Sequence, residues 1–406
     1  MRYGSLSDHF TGVAAKRLKA VEVDDTASNQ HEFNGVAALK DLLGSEKFVR
    51  RQSRFVWLGG ENESISDDAP VTWYDARNSH PIRSEWRLYF GSNAVMEAAA
   101  AGDLLVVARR PAGDVLFLIA PHGSTLENQI AWLFGLDGGL GEGFRYEEFH
   151  GDNDRGLDFV SNYVLEEIGI EPEEPEGERL DRILEHLGLD FPTSRVMSEL
   201  ARSNLDGPDP RDDPDAALLA WIEFEEALFR RLERRIVTAR LQSGFFTDDS
   251  ADVDGFLQFS LSVQNRRKSR MGLSLENHVE AALQALGIRY QRGARTEARS
   301  KPDFLFPGAT EYADPNFEAT RLAMLGVKST LKERWRQVLA EAARIPEKHL
   351  LTLEPGISIH QTDEMRNHGL QLVVPQGLHT TFTAEQGAWL IDFSSFLSLI
   401  REKQVE

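Results

Sequence analysis

The spacing of apolar residues divides the chain into a strand-rich first part and a second part in which helices and strands alternate. Five short segments of the first part are rich in β-branched and aromatic residues and are separated by turn-forming residues. These predicted strands are Arg54–Leu58, Val71–Ala76, Glu85–Phe90, Leu104–Arg109 and Val115–Ala120. Many short strands at close spacing are typical of a barrel or a sandwich, so we predict a β-rich domain over residues 1–160.

Helical periodicity dominates after residue 185. Apolar residues recur at the spacing of one helix face in Ala216–Leu241, Ser274–Leu286 and Leu331–Arg344. Strand-like segments follow or separate these helices: Phe304–Phe306, Leu322–Lys328, Leu350–Leu353 and Leu370–Val374. The alternation of helices and strands predicts an α/β domain with a mixed sheet over residues 188–406.

The segment between the two predicted domains is strongly acidic. The chain has a net charge of −20, and residues 151–190 contribute 13 Asp or Glu against 3 Arg, a balance of −10. Because residues 166–182 contain proline and few large apolar side chains, we predict an acidic linker over residues 161–187. This linker is either a solvated spacer or a segment that lies across a basic cleft and competes with DNA.

Composition narrows the class of protein. The chain has 406 residues, of which 41 % are hydrophobic and 27 % charged, as in globular proteins of two or three domains. It has no cysteine, which excludes disulfides, thiolate zinc sites and cysteine nucleophiles and favours a cytoplasmic location. We expect no signal peptide and no membrane association, because no apolar run is long enough for either. The net acidity does not exclude DNA, since positive charge is concentrated in the segment Arg266–Arg270.

Three widely separated residues could form a metal-dependent phosphodiesterase site. Asp303 follows a Lys-Pro dipeptide, Lys328 lies 25 positions further on, and Glu341 another 13. Such a site needs carboxylates to hold divalent cations against the scissile phosphate and a lysine to orient the attacking water. Nuclease strands usually carry an acid two positions before the lysine, but Gly326 occupies that position here. We therefore expect Glu341 to supply the missing carboxylate from the amphipathic helix that follows the strand.

Several segments closely resemble the catalytic domain of the EcoRII restriction endonuclease family, in residue type and in spacing. They are Asn265–Arg270, Ser274–Glu276, Lys301–Pro307, Val327–Gln337 and Gly369–His379. The resemblance covers about residues 190–380. It implies a PD-(D/E)XK restriction-endonuclease-like fold and magnesium-dependent cleavage of double-stranded DNA. In that family the second carboxylate is displaced from the strand to the helix, in agreement with Gly326 and Glu341 here.

The resemblance also implies roles for individual residues. Asp303 and Glu341 would be magnesium ligands, and Lys328 the catalytic lysine. Glu276 would be a supporting acid of the same site. Basic residues of the first segment would contact phosphate or the active site, unless they form a solvated basic turn; they are Arg266, Lys268 and Arg270.

Other residues fall where the family recognises the bases of its site. Lys332, Glu333 and Arg334 lie where the family reads the outer C:G pairs. Arginine can pair with guanine, and glutamate can accept a hydrogen bond from the cytosine amino group. Glu333 has a structural alternative, because Thr330 and Glu333 also fit a helix capping box. Trp221 lies where a related enzyme holds flipped central bases; it would either stack on an extruded base or pack in the core.

The N-terminal region resembles the EcoRII effector domain, which is a DNA-binding β pseudobarrel. Two patches carry this likeness, Ser28–Gly35 and Arg83–Arg87. The resemblance implies two arms that grip the major groove, with the candidate residues Gln30, His31, Asn34, Arg83, Glu85 and Arg87. The alternative for Arg83, Glu85 and Arg87 is charge pairing across strands on an exposed face of the sheet, since these residues alternate.

Together these observations predict an EcoRII-type (Type IIE) restriction endonuclease with an effector-binding N-terminal domain. It would cut a short site with outer CC/GG, such as CCWGG, and leave a 5′-phosphate. The expected partners are two copies of the DNA site, a second copy of the chain and, genetically, a cognate DNA methyltransferase. The alternative is a DNA-binding regulator that does not cleave or that senses base modification.

Overall fold

Strands in the first part of the chain and a mixed helix–strand arrangement in the second part are both present in the computed structural model. It describes residues 4–23, 31–59, 63–80, 82–136, 139–150, 156–170, 177–247, 250–297, 300–331 and 334–405, apart from the side chains of residues 63, 247 and 268. The described residues divide into two units. The first unit comprises residues 2–173 with 356–360, and the second comprises residues 174–355 with 361–406.

The first unit is built around one large sheet. Its strands are β1 (Gly12–Arg17), β2 (Glu32–Asn34), β3 (Phe48–Gly59), β4 (Glu63–Asp75), β5 (Trp86–Phe90), β6 (Leu104–Arg109), β7 (Val115–Ala120) and β8 (Arg145–Glu148). Its helices are α1 (Leu6–His9), α2 (Ala20–Val23), α3 (Ala37–Leu43), α4 (Ala94–Ala98), α5 (Thr125–Leu133) and α6 (Phe159–Glu167).

The eight strands are ordered β2-β5-β4-β3-β7-β6-β1-β8, with β3 and β7 parallel and the other neighbours antiparallel. The sheet curls, so that its two edges approach each other. Phe33 of the edge strand β2 lies 5.9 Å, between ring centroids, from Phe144, which directly precedes the other edge strand β8. The buried ammonium of Lys16 lies over both rings and pairs with Glu22 at 2.5 Å. An aromatic core therefore fills the inside of the curl.

The predicted strands Leu104–Arg109 and Val115–Ala120 coincide with β6 and β7, whose side chains are almost all buried. By contrast, β3 and β4 have 12 and 13 residues and extend well beyond the predicted segments. The extensions are polar and partly exposed, and the backbone ladder pairs Phe55 with Asp67 and Arg54 with Asp68. Hydropathy missed them because ladder hydrogen bonds do not require apolar side chains.

The second unit combines helices with a smaller sheet. Its helices are α7 (Gly177–Leu184), α8 (Ser194–Asn204), α9 (Pro214–Ser243), α10 (Val253–Ala285), α11 (Ala309–Ala313), α12 (Trp335–Leu339), α13 (Ile359–Asn367), α14 (Ala384–Trp389) and α15 (Phe393–Gln404). Its strands are β9 (Phe246–Thr247), β10 (Ser250–Ala251), β11 (Gln291–Arg292), β12 (Phe304–Phe306), β13 (Ala323–Lys328), β14 (Lys348–Thr352) and β15 (Leu370–Val373).

The main sheet of this unit has the order β11-β12-β13-β14-β15. The pairs β11–β12 and β12–β13 are antiparallel, whereas β13–β14 and β14–β15 are parallel. The predicted mixed sheet is therefore confirmed for the described residues. Because β12 and β13 are antiparallel, the start of β12 and the end of β13 lie at the same edge of the sheet.

The predicted acidic linker differs from the structure. Helix α6 begins before residue 161 and ends within the predicted linker, and α7 lies wholly inside it. Leu180 and Leu184 of α7 are almost fully buried in a core shared with Met197 and Phe224. The prediction failed because it weighed the number of apolar residues, whereas two of them, Leu180 and Leu184, are enough to give α7 a buried face. Residues 171–176 of this segment lie outside the described residues.

Candidate active site

Asp303 and Lys328, predicted from positions 25 residues apart, lie in direct contact. Asp303 directly precedes β12, and Lys328 is the last residue of the neighbouring strand β13. The Lys328 ammonium donates to Asp303 Oδ2 at 2.7 Å, and the Val327 amide donates to the same oxygen at 2.7 Å. Both side chains are about one-fifth exposed, with 18 % for Asp303 and 21 % for Lys328. The sheet therefore holds a carboxylate and an ammonium together where two neighbouring inner strands start and end, at a position that solvent reaches.

Gly326 is explained by the packing of the same strand. A Cβ atom at this position would lie 3.0 Å from a methyl group of Val338 and 3.2 Å from one of Leu350. Real Cβ atoms rarely approach other atoms this closely, so any side chain here would require Val338 or Leu350 to shift by a few tenths of an ångström. The close packing favours glycine at this position, in agreement with a second carboxylate supplied by another segment.

Glu341 lies near the Asp303–Lys328 pair, but the helix that was expected to carry it is shorter than predicted. Instead of covering Leu331–Arg344, α12 spans Trp335–Leu339, and Glu341 lies in the bend that follows. The apolar face that predicted the helix is buried as expected, with Leu331, Trp335, Val338 and Ala342 inside. Ala342 is buried with a φ of 49°, which no regular right-handed helix allows. The apolar spacing thus identified the buried face but not the point where the helix ends.

The electrostatics of Glu341 fit a cation-binding role. Burial and the nearby charge of Asp303 raise the pKa of Glu341 to about 7, although Lys328 and Lys348 oppose this shift. Its Oε2 atom is buried and has no hydrogen-bond partner among the described residues. Two carboxylates that repel each other, one with an unpaired oxygen, form a donor set that suits a hard divalent cation such as Mg²⁺.

Glu276, on α10, lies at the border of this cluster. Its carboxylate accepts a hydrogen bond from Arg292 of β11 at 2.8 Å. Burial and the charge of Asp303 raise the pKa of Glu276, and this places it within the electrostatic reach of the pair. Among the described residues, however, no three acidic or histidine side chains are arranged closely enough to enclose a metal ion. Asp303 and Glu341 are therefore the better candidate ligands, with Glu276 beside them.

The basic residues of α10 differ from the sequence-based expectation. Arg270 was expected to contact DNA, but it is 6 % exposed, and its guanidinium pairs with Glu226 and Glu225. It also lies 4.0 Å above the Phe229 ring, so residues of α9 pair its charge and cover it inside the unit. This expectation is wrong for the structure as it stands. The alternative of a solvated basic turn is also wrong, because these residues lie within α10.

Two further members of the basic segment remain candidates for DNA contact. Arg266 is exposed and its guanidinium lies 4.5 Å from the centre of the Phe191 ring. Lys268 lies on the same helix, but its side chain falls outside the described residues. Among the predicted base-reading residues, Arg334 is exposed at the start of α12, whereas Lys332 and Glu333 lie outside the described residues.

Trp221 lies in the interior of the second unit. It is 8 % exposed on α9, and its ring lies 5.7 Å from the ring of His278. His278 is fully buried, and its Nε2 lies 2.8 Å from the carboxylate of Glu225. This environment favours the structural alternative for Trp221 over stacking on an extruded base.

The predicted effector residues separate into paired and exposed groups. Arg87 pairs with Glu85 at 2.5 Å and with Glu32 of the neighbouring strand, as the charge-pairing alternative expected. Asn34 on β2 lies opposite Arg87 of β5 in the strand register. Asn34 and Arg83 are both exposed.

The two remaining candidates of the patch Ser28–Gly35 are His31, which the structure describes, and Gln30, which it does not. His31 is half-buried and packs edge-on against Phe90 with ring centroids 5.8 Å apart. Gln30 lies outside the described residues.

Sequence reasoning missed several residues that surround the cluster. Arg292 holds Glu276, and the buried Lys348 adds positive charge near Glu341. Tyr312, Glu297 and Arg344 contact the segment that carries Glu341. No local motif marks Arg292, Glu297, Tyr312 and Arg344, because each of them hydrogen-bonds a partner at least 15 positions away in the chain.

Comparison with known proteins finds a likeness for part of the second unit. Residues 229–397 match the family model described as EcoRII C terminal. The Type II restriction enzyme EcoRII of Escherichia coli is 42 % identical over 187 residues, which are 46 % of this chain and 45 % of that enzyme. The chain thus spans about half of the length of this curated relative. The predicted EcoRII-type resemblance is confirmed for this region, and with it a restriction-endonuclease-like fold.

Two solved structures show a weaker likeness. Metal-depleted Ecl18kI in complex with uncleaved DNA aligns with a TM-score of 0.45 and 19 % identity, covering 57 % of this chain and 87 % of that chain. A complex of the restriction endonuclease PspGI with substrate DNA aligns with a TM-score of 0.38 and 16 % identity, covering 59 % and 94 %. At these TM-scores the likenesses add nothing to the family match. Within the described part of the chain, none of the helices is both long and apolar enough to cross a bilayer.

Proposed function

We propose that this chain is a Type II restriction endonuclease that makes sequence-specific double-strand cuts in DNA by magnesium-dependent hydrolysis. The observation that carries this proposal is the contact of Asp303 with Lys328 beside the unpaired carboxylate oxygen of Glu341. The cluster lies in the region that matches the EcoRII C-terminal family model. Acids and a lysine at one end of a sheet suit metal-dependent phosphodiester hydrolysis.

In this proposal each residue of the cluster has a distinct task. Asp303 and Glu341 hold the magnesium ion, which when bound supplies positive charge and lowers the pKa of a coordinated water. Asp303 also fixes the Lys328 ammonium through the 2.7 Å contact. Lys328 thereby faces the charge that develops on the scissile phosphate, where a preorganised cation is most effective. Glu276, restrained by Arg292, supports the site from α10.

The proposed recognition site is a short sequence with outer C:G pairs, such as CCWGG. Lys332, Glu333 and Arg334 would read those pairs in the major groove and cleavage would leave a 5′-phosphate. The support for this assignment is the local resemblance of the segment from Val327 to Gln337. Cutting both strands of a duplex usually takes two active sites, so we propose that two copies of the chain act together.

For the first unit we propose an effector role, in which a curled β-sheet binds a second copy of the DNA site. The support is the approach of the two sheet edges at Phe33 and Phe144, together with the exposure of Asn34 and Arg83. As a restriction enzyme the protein would act in the cytoplasm, where a cognate DNA methyltransferase protects the host sites.

The test is to incubate the purified chain with a plasmid that carries several CCWGG sites, with magnesium or with EDTA. We expect discrete fragments only with magnesium, and sequencing of the ends gives the site and the position of the cut. Lys328→Ala should reduce the cleavage rate by a factor of about a thousand or more, because it removes a preorganised charge at the reacting phosphate. Lys403→Ala, on α15, is the matched control and should cut at the wild-type rate.

The outcomes separate the two classes of function. A shift of DNA mobility without cleavage would contradict the nuclease and support a DNA-binding regulator. Cleavage of methylated DNA alone would support a protein that senses base modification. Equal cleavage by Lys328→Ala and wild type would refute the active-site assignment.

A further inference from the structure

The segment that carries Glu341 is neither helix nor strand, yet burial and hydrogen bonds fix its backbone. Helix α12 ends at Leu339, and Ala342 adopts a φ of 49° in the left-handed region. A non-glycine residue keeps this conformation only when its surroundings enforce it. Ala342 is also fully buried, so the segment 340–344 has one defined path rather than a free loop. The residues that enforce this path determine where Glu341 lies.

Two consecutive backbone amides after Ala342 are bound by one side-chain pair. The Ala343 amide donates to Glu297 Oε2 at 3.3 Å, and the Arg344 amide donates to the Tyr312 hydroxyl at 3.2 Å. The Tyr312 hydroxyl in turn donates to the Glu297 carboxylate, at 2.6 Å and 2.7 Å from its two oxygens. Burial and Glu297 raise the pKa of Tyr312 to about 12, so the hydroxyl keeps its proton at neutral pH.

The side chain of Arg344 fastens the same segment to α11 and the turn after it. Its guanidinium donates to the carbonyl oxygen of Tyr312, to that of Asp314 at 2.9 Å and to that of Phe317 at 2.9 Å. Arginine commonly satisfies the free carbonyl groups at a helix end in this way. The guanidinium also lies 5.6 Å from the centre of the Tyr312 ring. Backbone and side chain of Arg344 therefore both depend on Tyr312.

We propose that Tyr312, Glu297 and Arg344 are positioning residues that place the Glu341 carboxylate beside Asp303. They do what a longer α12 would otherwise do, because the helix ends at Leu339. This inference rests on the proposed function, because it assigns to Glu341 a part in magnesium binding. Metal ligands must be held within a fraction of an ångström, and residues that orient them affect metal affinity strongly. Loss of the Tyr312 hydroxyl should therefore weaken magnesium binding more than it slows the saturated reaction.

The variant Tyr312→Phe tests the proposal, since it keeps the buried ring and removes only the hydroxyl. We expect hydrogen exchange at the Ala343 and Arg344 amides to become about tenfold faster or more. The magnesium concentration for half-maximal plasmid cleavage should rise about tenfold, whereas the rate at saturating magnesium should fall less.

Tyr290→Phe is the matched control. The Tyr290 hydroxyl also donates to a glutamate, Glu280, at 3.1 Å, and accepts from Gln284 at 2.8 Å. It makes no hydrogen bond to the segment that carries Glu341 among the contacts of the described residues. We therefore expect this variant to leave the exchange of the two amides and the magnesium requirement unchanged.

Unchanged amide exchange in Tyr312→Phe would overturn the proposal. Faster exchange with an unchanged magnesium requirement would overturn it as well, because the segment would then be fastened without positioning Glu341. If the wild type does not cleave DNA, the proposed function fails, and the rise of Tm on addition of magnesium replaces cleavage as the readout. A rise that is smaller in Tyr312→Phe than in wild type would still support the positioning role, and an equal rise would contradict it.

Discussion

Two clusters of charged side chains, one in each unit, resemble each other in composition but differ in how their charges are satisfied. In the first unit Glu85 is bound by Arg87 and Arg77, which lower its pKa. In the second unit Asp303 is bound by Lys328, but Glu341 has an unpaired oxygen and a pKa raised to about 7. A cluster whose charges are mutually paired stabilises the fold, whereas one that keeps a repelled carboxylate has the capacity to bind a cation.

The largest expected effect is the loss of DNA cleavage when the carboxylate of Glu341 is removed, since the cluster of the first unit has no proposed part in cleavage. Glu341→Gln keeps the size of the side chain but removes the charge that we propose binds magnesium. We expect cleavage to fall by a factor of about a hundred or more, because a neutral amide is a weaker ligand for Mg²⁺. The measurement is the rate of plasmid cleavage at saturating magnesium, and an unchanged rate would remove Glu341 from the site.

The same substitution should stabilise the metal-free protein. The pKa of Glu341 rises from its ordinary value of 4.5 to about 7 in the folded state. The folded protein therefore binds more protons than the unfolded one in this window, and this contribution to stability is lost as pH rises from about 4.5 to 7. At pH 8 in EDTA, Glu341→Gln should raise the free energy of unfolding by about 1–3 kcal/mol, discounted for partial exposure.

Urea unfolding at pH 8 and at pH 5 checks this sign. The stabilisation should be present at pH 8 and largely absent at pH 5, where the folded wild type is already protonated. A variant that is less stable than wild type at pH 8 would mean that Glu341 is paired, like Glu85.

The smallest expected effect is that of Glu85→Gln, and its sign is opposite. Because Arg87 and Arg77 lower the pKa of Glu85, its contribution to stability is present above its ordinary pKa of 4.5 and is lost as pH falls through the folded value. The variant should show a slightly lower Tm than wild type at pH 7, and the difference should vanish at a pH low enough to protonate Glu85, where its carboxyl is neutral like the amide of Gln while both arginines remain charged. A Tm of Glu85→Gln above that of wild type at pH 7 would show that Glu85 destabilises the fold, as we expect of Glu341, and would contradict the difference between the two clusters.

The sequence revealed the cluster of Asp303, Lys328 and Glu341 better than the segment that carries Glu341. The contact of Asp303 with Lys328 was predictable, because a motif identified both residues, and Asp303 directly precedes one strand of clear apolar character while Lys328 ends another. The position of Glu341 after α12 was not, since apolar spacing continues through Ala342 although the backbone turns there. The turn depends on Tyr312 and Glu297, whose contacts are made only after folding.

Charged residues were the least predictable part of the sequence. Arg270 looked like a surface residue within a basic run, but it is buried and pairs with Glu225 and Glu226, about 45 positions earlier in the chain. The acidic segment looked unfolded, but Leu180 and Leu184 lie on one face of α7 and join a core with α8 and α9. In both cases the burial of the residue depends on partners distant in sequence, and neither composition nor local periodicity contains information about such partners.

The account depends most on a single property of the second cluster, its affinity for a divalent cation, and the Tm of the protein with and without magnesium measures it directly. We expect magnesium at pH 8 to raise the Tm of the wild type and of Glu85→Gln by the same amount, and to leave that of Glu341→Gln nearly unchanged. An equal rise in all three proteins would show that magnesium binds elsewhere and would contradict the assignment of Asp303, Lys328 and Glu341 as the active site.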